Sequence, residues 1–397
     1  MTGDDSGAGI EGWALESGRR HLNHGSFGAV LEEVLRAQDV WRHRFESDPT
    51  RFVFEDLQPA VDAARQVLGE FVGADPSGLA PVRNATTGIA SVLGSLEPAL
   101  EPGDQILTTA HDYNAVRQIL RYTAERTGAE VAVARVPFPI GDPAEVTGAI
   151  TAAVNERTRL AVIDHVTSPT ALVLPIAAVV SSLEPDIPVL VDGAHGPGQV
   201  PLSLDELGAS WYTGNLHKWV CAPKGAAFLH TRSDRIEMTM PAIISHGYNA
   251  DVEGAVERYH ALFDWLGTDD FSSWAVLPDV LRFVGGLQPG GWEGLMKRNH
   301  DLILDGRRIV SEAIGTELPA PDDMIGSMAS VVLPEARGVP AKGDLSPLMG
   351  ELSEEGFSVI VQLWPEWPHQ LIRISAHLYN SADDYHALAD RLRLRFS

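Results

Sequence analysis

Trp211-Tyr-Thr-Gly-Asn-Leu-His217-Lys218-Trp219-Val-Cys-Ala-Pro-Lys224-Gly225 closely follows Pro188-Val-Leu-Val-Asp192-Gly-Ala-His195-Gly-Pro-Gly198. An apolar run ends in an acidic residue, and a second run ends in His-Lys. That order suits a pyridoxal phosphate site. A lysine amine can form a Schiff base with the aldehyde, and a carboxylate at a strand end can pair with the pyridine nitrogen. Taken singly, each residue has a plainer reading. A loop lysine is usually a solvated surface charge, and an aspartate at a strand end usually forms a turn or caps a helix.

Around this stretch the chain has 397 residues, 44% of them hydrophobic, enough for one large α/β unit and a smaller companion. No apolar run reaches the length of a membrane span. With 30 basic and 54 acidic residues the formal charge is −24, which repels nucleic acid and anionic membrane and excludes both as expected partners. An anion site here has to be built from backbone N–H groups, helix ends and a few polar side chains. The single cysteine, Cys221, rules out a disulfide framework and a cysteine-rich metal centre, so no metal is expected. It fits a reducing compartment, and a cytoplasmic location is expected. Residues 1–20 lack the basic and apolar pattern of a signal peptide and read as a flexible leader.

In chain order, His21-Leu-Asn23-His-Gly25-Ser-Phe-Gly28 is a turn, or a segment that approaches a ligand closely where Gly25 and Gly28 lack Cβ. A helix is expected over 30–44. Asn84, Ala85, Thr86 and Thr87 open another, with good N-cap residues and a helix end able to bind an anion. Strands are expected over 104–109, 131–136, 159–164, 188–192 and 225–230, with helices from 115, over 142–155, and over 170–183 with a break at Pro175. Such alternation argues for a mostly parallel sheet covered on both faces. Ligands of open α/β sheets bind at the carboxyl ends of the strands. That rule brings Thr86, Tyr113, Thr167, Asp192 and Lys218 together. From residue 276 onward the pattern changes to a smaller α+β unit, leaving 21–275 as the large one. Its long helix spans 292–314, its strands 327–333, 357–363 and 371–375, its terminal helix 383–394, and its loops 344–350 and 364–369.

At this point the chain resembles the class V aminotransferase-like pyridoxal phosphate enzymes of fold type I. The branch is that of isopenicillin N epimerase and the C–S lyases of ergothioneine and lincosamide pathways. The matching motifs are Leu-Asn-His-Gly-Ser-Phe-Gly (22–28), Asn-Ala-Thr-Thr (84–87), His-Asp-Tyr (111–113), His-Val-Thr-Ser-Pro-Thr-Ala-Leu-Val-Leu-Pro (165–175), Val-Asp-Gly-Ala-His-Gly-Pro-Gly (191–198), His-Lys-Trp with Ala-Pro-Lys-Gly (217–225), Trp-Leu-Gly-Thr-Asp-Asp (265–270) and Ile-Arg-Ile-Ser-Ala-His-Leu-Tyr-Asn (372–380).

The resemblance implies a sheet of the seven-stranded type and a role for each residue. Lys218 carries the cofactor and moves the Cα proton. Asp192 pairs with the pyridine nitrogen, Tyr113 stacks on the ring, and His195 lies near the ring hydroxyl. Ala85 and Thr86 hold the phosphate by backbone N–H, with His217 and Asn215 beside it. Thr268 reaches the phosphate of a second subunit, which implies a homodimer. Arg373 clamps the carboxylate of a small amino-acid substrate, and Asn23 and Gly25 line the same pocket. Asn215 stands where relatives often have Ser or Thr, and Thr167 where cysteine desulfurases carry Asn. No cysteine lies where a persulfide mechanism needs one. Lys224 is the rival lysine. His165, His246 and His377 are either second acid–base groups or packed structural histidines.

The expected reaction is β-elimination of an S-substituted cysteine, with the chain serving as a C–S lyase of an antibiotic or thiol pathway. Epimerisation at Cα and decarboxylation with oxidative deamination stay open, as does a non-catalytic regulator with the same fold.

Overall fold

In the computed structural model, residues 11–336 and 345–396 are described. The strands form three sheets. Seven strands form the largest: β1 (Leu79–Val82), β2 (Gln105–Thr109), β3 (Glu130–Ala134), β4 (Thr158–Asp164), β5 (Val189–Gly193), β6 (Trp211–Asn215) and β7 (Ala227–Thr231). Their spatial order is β1-β7-β6-β5-β4-β2-β3. Only β7 runs against its neighbours; the other pairings from β6 through to β3 are parallel. The inner strands β5 and β6 are buried along their whole length, as a sheet covered on both faces requires.

A second sheet contains β8 (Met328–Leu333), β9 (Ile360–Leu363) and β10 (Gln370–Ser375), antiparallel in the order β9-β10-β8. The helix Gly291–Ile314 packs across this sheet and against the terminal helix Ala382–Phe396. No helix of the described residues is long and apolar enough to cross a membrane.

Several local expectations need correction. β1 was unforeseen: Leu79-Ala-Pro-Val is short, and its proline disguises an edge strand. The helix expected over 170–183 is only Ile176–Leu183. Residues before Pro175 instead form a tight turn, with Thr167 and Leu172 bonded to each other and Val166 bridged to Val173. A residue preceding proline is pushed out of the helical region. The strand expected over 357–363 is two, Phe357–Ser358 and Ile360–Leu363, each in a different sheet. Of the loop 344–350, residue 344 lies outside the described residues and Pro347–Glu354 is a helix.

Residues 1–10 of the leader lie outside the described residues. Within 11–20, Trp13 is buried edge-on against His377 and Tyr379, while most of the other residues are exposed. Arg20–His21 then pairs with Phe357–Ser358, and Leu22 exchanges backbone bonds with Ser358 and Ser375 at 2.9 Å each. The chain's beginning is therefore stitched to its C-terminal strands before it reaches the lysine loop.

Candidate active site

The ends of β4, β5 and β6 build the floor of the site. Asp192 lies on β5 opposite Asp164 on β4, in register. Asp192 is buried, and its Oδ1 accepts from the Ala194 N–H at 2.9 Å. Burial pushes its carboxyl up, against the pull of that N–H and of Lys218. A pyridinium brought against it would oppose the push, since an opposite charge favours the ionised form. Asp164 and Asp112 are buried with it, and Thr108 and Thr109 donate to Asp112. Burial and repulsion from Asp112 and Asp192 raise Asp164 well above the usual carboxylate range, while Asp112 rises to about 6, chiefly by burial. Sequence reasoning passed over Asp164. Its signal was the one that marked Asp192, an apolar strand ending in aspartate.

Lys218 follows β6 and is half-buried. Burial, then the positive charge of Arg373, bring its amine down to about 7 against the attraction of Asp192 and Asp164. Its Nζ lies 3.0 Å from His195 Nε2. His195 is buried as well, and burial and the lysine charge hold its imidazole well below the ordinary value. Lys224, the rival, is exposed and donates to the Gly28 carbonyl at 3.3 Å.

The loop bearing Lys218 is held from behind by residues 23–28. His24 Nε2 bonds the Lys218 carbonyl at 3.1 Å, and its Nδ1 meets the Tyr379 hydroxyl at 2.9 Å. Gly28, at φ +71°, lies so close that a Cβ would stand 2.0 Å from the His217 carbonyl. No other residue fits there without moving the loop.

Arg373, on β10, is buried and reaches the same pocket. Its Nη1 donates to the Ser168 carbonyl at 2.6 Å and hydroxyl at 3.1 Å. Its Nη2 donates to Ser26 Oγ at 2.8 Å and Asn23 Oδ1 at 3.4 Å. Every partner is neutral, and among the described residues no carboxylate pairs with it. Burial lowers its guanidinium to about 10, with Tyr113 acting the other way. Tyr113 itself is 49% exposed at the mouth, at the start of the helix Asn114–Thr127.

The helix Ala85–Leu96 begins at the end of β1, and Asn84 caps it by accepting from the Thr87 N–H at 2.9 Å. The expected use of the Ala85 N–H for phosphate meets a competitor, because that group donates to Asn215 Oδ1 at 2.9 Å. Among the described residues nothing accepts from the Thr86 N–H. His217 Nδ1 donates to the Ala226 carbonyl at 3.0 Å, and burial lowers its imidazole to about 4. The Thr167 hydroxyl is also engaged locally, with Thr170 Oγ1 and the Leu172 N–H, both at 2.8 Å. Gly25 packs under Trp219 and His195. Thr268 lies away from this cluster, in a surface cleft with Arg83 and Gly225, beside the 2.8 Å ion pair of Arg83 with Asp269.

Of the candidate second acid–base groups, His165 is buried against the Tyr212 hydroxyl at 3.0 Å. His377 is buried and stacked on His24 with centroids 4.0 Å apart. His246 lies in a short helix at residues 246–249, in the segment before the helix Ala255–Asp264.

These residues fit pyridoxal phosphate. They offer a half-buried amine, a buried carboxylate on the adjacent strand, an unsatisfied N–H in a helix first turn and a half-exposed aromatic. Fold and site together define a pyridoxal phosphate enzyme of fold type I. The chain belongs to the aminotransferase class-V family, whose model matches residues 50–388. It is 32% identical to a probable chloroplastic L-cysteine desulfhydrase of Arabidopsis thaliana, over 94% of this chain and 82% of that one. It is also 32% identical to isopenicillin N epimerase of Amycolatopsis lactamdurans, over 96% of each. Its fold matches a solved complex of the cystine C–S lyase C-DES with cysteine persulfide, at TM-score 0.78 and 20% identity, over 95% of this chain and 98% of the other.

Proposed function

We propose that the protein is a pyridoxal-phosphate-dependent C–S lyase that acts by β-elimination on an S-substituted cysteine in a specialised antibiotic or thiol pathway. Arg373 carries the reading. A buried guanidinium with only neutral partners is completed by a carboxylate, and its planar fork suits bidentate pairing. Holding that carboxylate in place favours its retention, which counts against the decarboxylating route. Bound at the site, the cofactor supplies an electron sink for the electrons left at Cα.

The residues divide the work as follows. Asp192 holds the pyridine nitrogen, and Tyr113 covers the ring. Thr86, Asn215 and His217 surround the phosphate, with Ala85 set by Asn215. Lys218, neutral at its depressed pKa, takes the Cα proton. The Cβ–S bond then breaks, sulfur leaves as thiolate and is protonated, and the released enamine hydrolyses to pyruvate and ammonia. A two-base epimerase needs a second acid on the opposite face. Of the three candidate histidines, His165 and His377 are sealed in packing away from that duty, which leaves only the exposed His246. The desulfhydrase relative supports the lyase reading, and the equally similar epimerase makes the product assay the deciding test. We further propose a cytoplasmic homodimer completed by Thr268, with 21–275 and 276–397 as its large and small units.

The test is a product assay in D2O on the cofactor-loaded enzyme, with L-cysteine and a panel of S-substituted cysteines. Pyruvate and free thiol are expected, with turnover on an S-substituted substrate above that on cysteine. Deuterated, racemised substrate without pyruvate overturns the reading in favour of an epimerase, and CO2 with an aldehyde overturns it in favour of the decarboxylating route.

A further inference from the structure

The contacts around Lys218 fix where the protons sit. The Trp219 indole N–H points at His195 Nδ1 from 3.3 Å, and His195 Nε2 lies 3.0 Å from Lys218 Nζ. An indole nitrogen only donates. Nδ1 therefore presents its lone pair, and a neutral imidazole then carries its proton on Nε2. That proton faces Nζ. An ammonium has no lone pair to accept it, so the contact is satisfied only by a neutral amine.

We infer that Trp219 is a positioning residue: by donating to Nδ1 it holds His195 in the Nε2–H tautomer, which in turn holds Lys218 as the uncharged amine. This rests on the reading of Lys218 as the lysine that takes up the cofactor. The packing serves the arrangement. A Cβ on Gly25 would meet Trp219 Cζ2 at 3.1 Å, Met328 Sδ at 3.0 Å and His195 Cε1 at 3.7 Å, so Gly25 leaves room for the indole and imidazole together. Gln199 Nε2 donates to the His195 carbonyl at 2.6 Å and fixes the imidazole's backbone. The groups acting on Lys218 from neighbouring elements are Asp192 on β5 and Asp164 on β4, which favour the ammonium, and Arg373 on β10, which opposes it. The adjacent His217 is neutral near pH 7. The direction of the lysine's shift, down to about 7, agrees with the donor assignment reached from geometry.

Two measurements test this on the full chain. In the cofactor-free protein labelled with 15N-histidine, the His195 signals, identified by their loss in His195→Asn, are expected to show the Nε2–H tautomer. A proton on Nδ1 overturns the inference. Second, capture of pyridoxal phosphate is followed by its visible absorbance from about pH 6 to about pH 9. In Trp219→Phe the acid limb is expected to move up by about one pH unit, making capture about fivefold slower near pH 7, approaching about tenfold near pH 6, and nearly equal to wild type near pH 9. A folded W219F protein whose profile overlays wild type, or is lowered equally at every pH, overturns the inference. Should W219F not fold, the tautomer in the unsubstituted protein decides. Lys218→Ala separates the two levels. Unchanged capture by K218A removes the lysine reading itself, whereas loss of capture there with a wild-type profile in W219F removes only the role of Trp219.

Discussion

Arg373 illustrates what a single side chain can settle. Arg373→Lys keeps the charge and discards the fork, so kcat/KM is expected to fall roughly 100-fold, chiefly through KM, with cofactor capture unchanged. Steady-state kinetics beside a pyridoxal phosphate titration checks both halves. Lys218 and Asp192 stood out by residue type and order, whereas Arg373 was marked only by the family resemblance. The partner of the Ala85 N–H was hidden, because whether an N–H is free depends on what reaches it, and Asn215 reaches it from the end of β6, two strands away. The local partners of Thr167 were hidden for a similar reason: a short hydroxyl beside a turn finds partners within the turn. Ser168 and Ser26, which aim Arg373, carried no signal of their own, since a serine beside a guanidinium is visible only in three dimensions.

Among the elements, the parallel strands do the assembling, and their apolar runs made most of them readable. What the runs could not disclose is that adjacent tips place Asp112, Asp164 and Asp192 in one buried cluster. A carboxyl raised in the folded state favours folding below the ordinary carboxylate range, and that benefit is lost as pH rises toward the folded value. Asp164→Asn removes the titration. Between about pH 5 and about pH 8, cofactor-free wild type should lose more stability than the D164N protein, by about 1.4 kcal/mol for each pH unit in which Asp164 keeps its proton folded and loses it unfolded. Urea unfolding at the two pH values measures the difference, and equal losses would remove Asp164 from the protonated pair. The short strand β1 and the divided strand at 357–363 escaped the sequence because two to four residues hold too little periodicity to declare a partner.

On the scale of the whole molecule, the proposed homodimer makes a prediction of its own. Subunits carrying Lys218→Ala and subunits carrying Thr268→Val, each impaired alone, should on equal mixing and reassembly regain about a quarter of wild-type activity, because half the dimers are mixed and each has one intact site. Recovery no greater than the sum of the parents would confine Thr268 to its own subunit. The alternation of strands and helices made the large sheet legible. The return of residues 20–22 to the strands at 357–358 and 375 was not, because pairing across nearly the whole chain leaves no local trace. That stitching also sets an order of events during synthesis. The lysine loop rests on His24, and the segment bearing His24 is anchored to strands near residue 375. A nascent chain whose strands near residue 375 are still inside the ribosome has made Lys218 but not the anchored brace behind it, so the lysine loop gains its support only once those strands have folded.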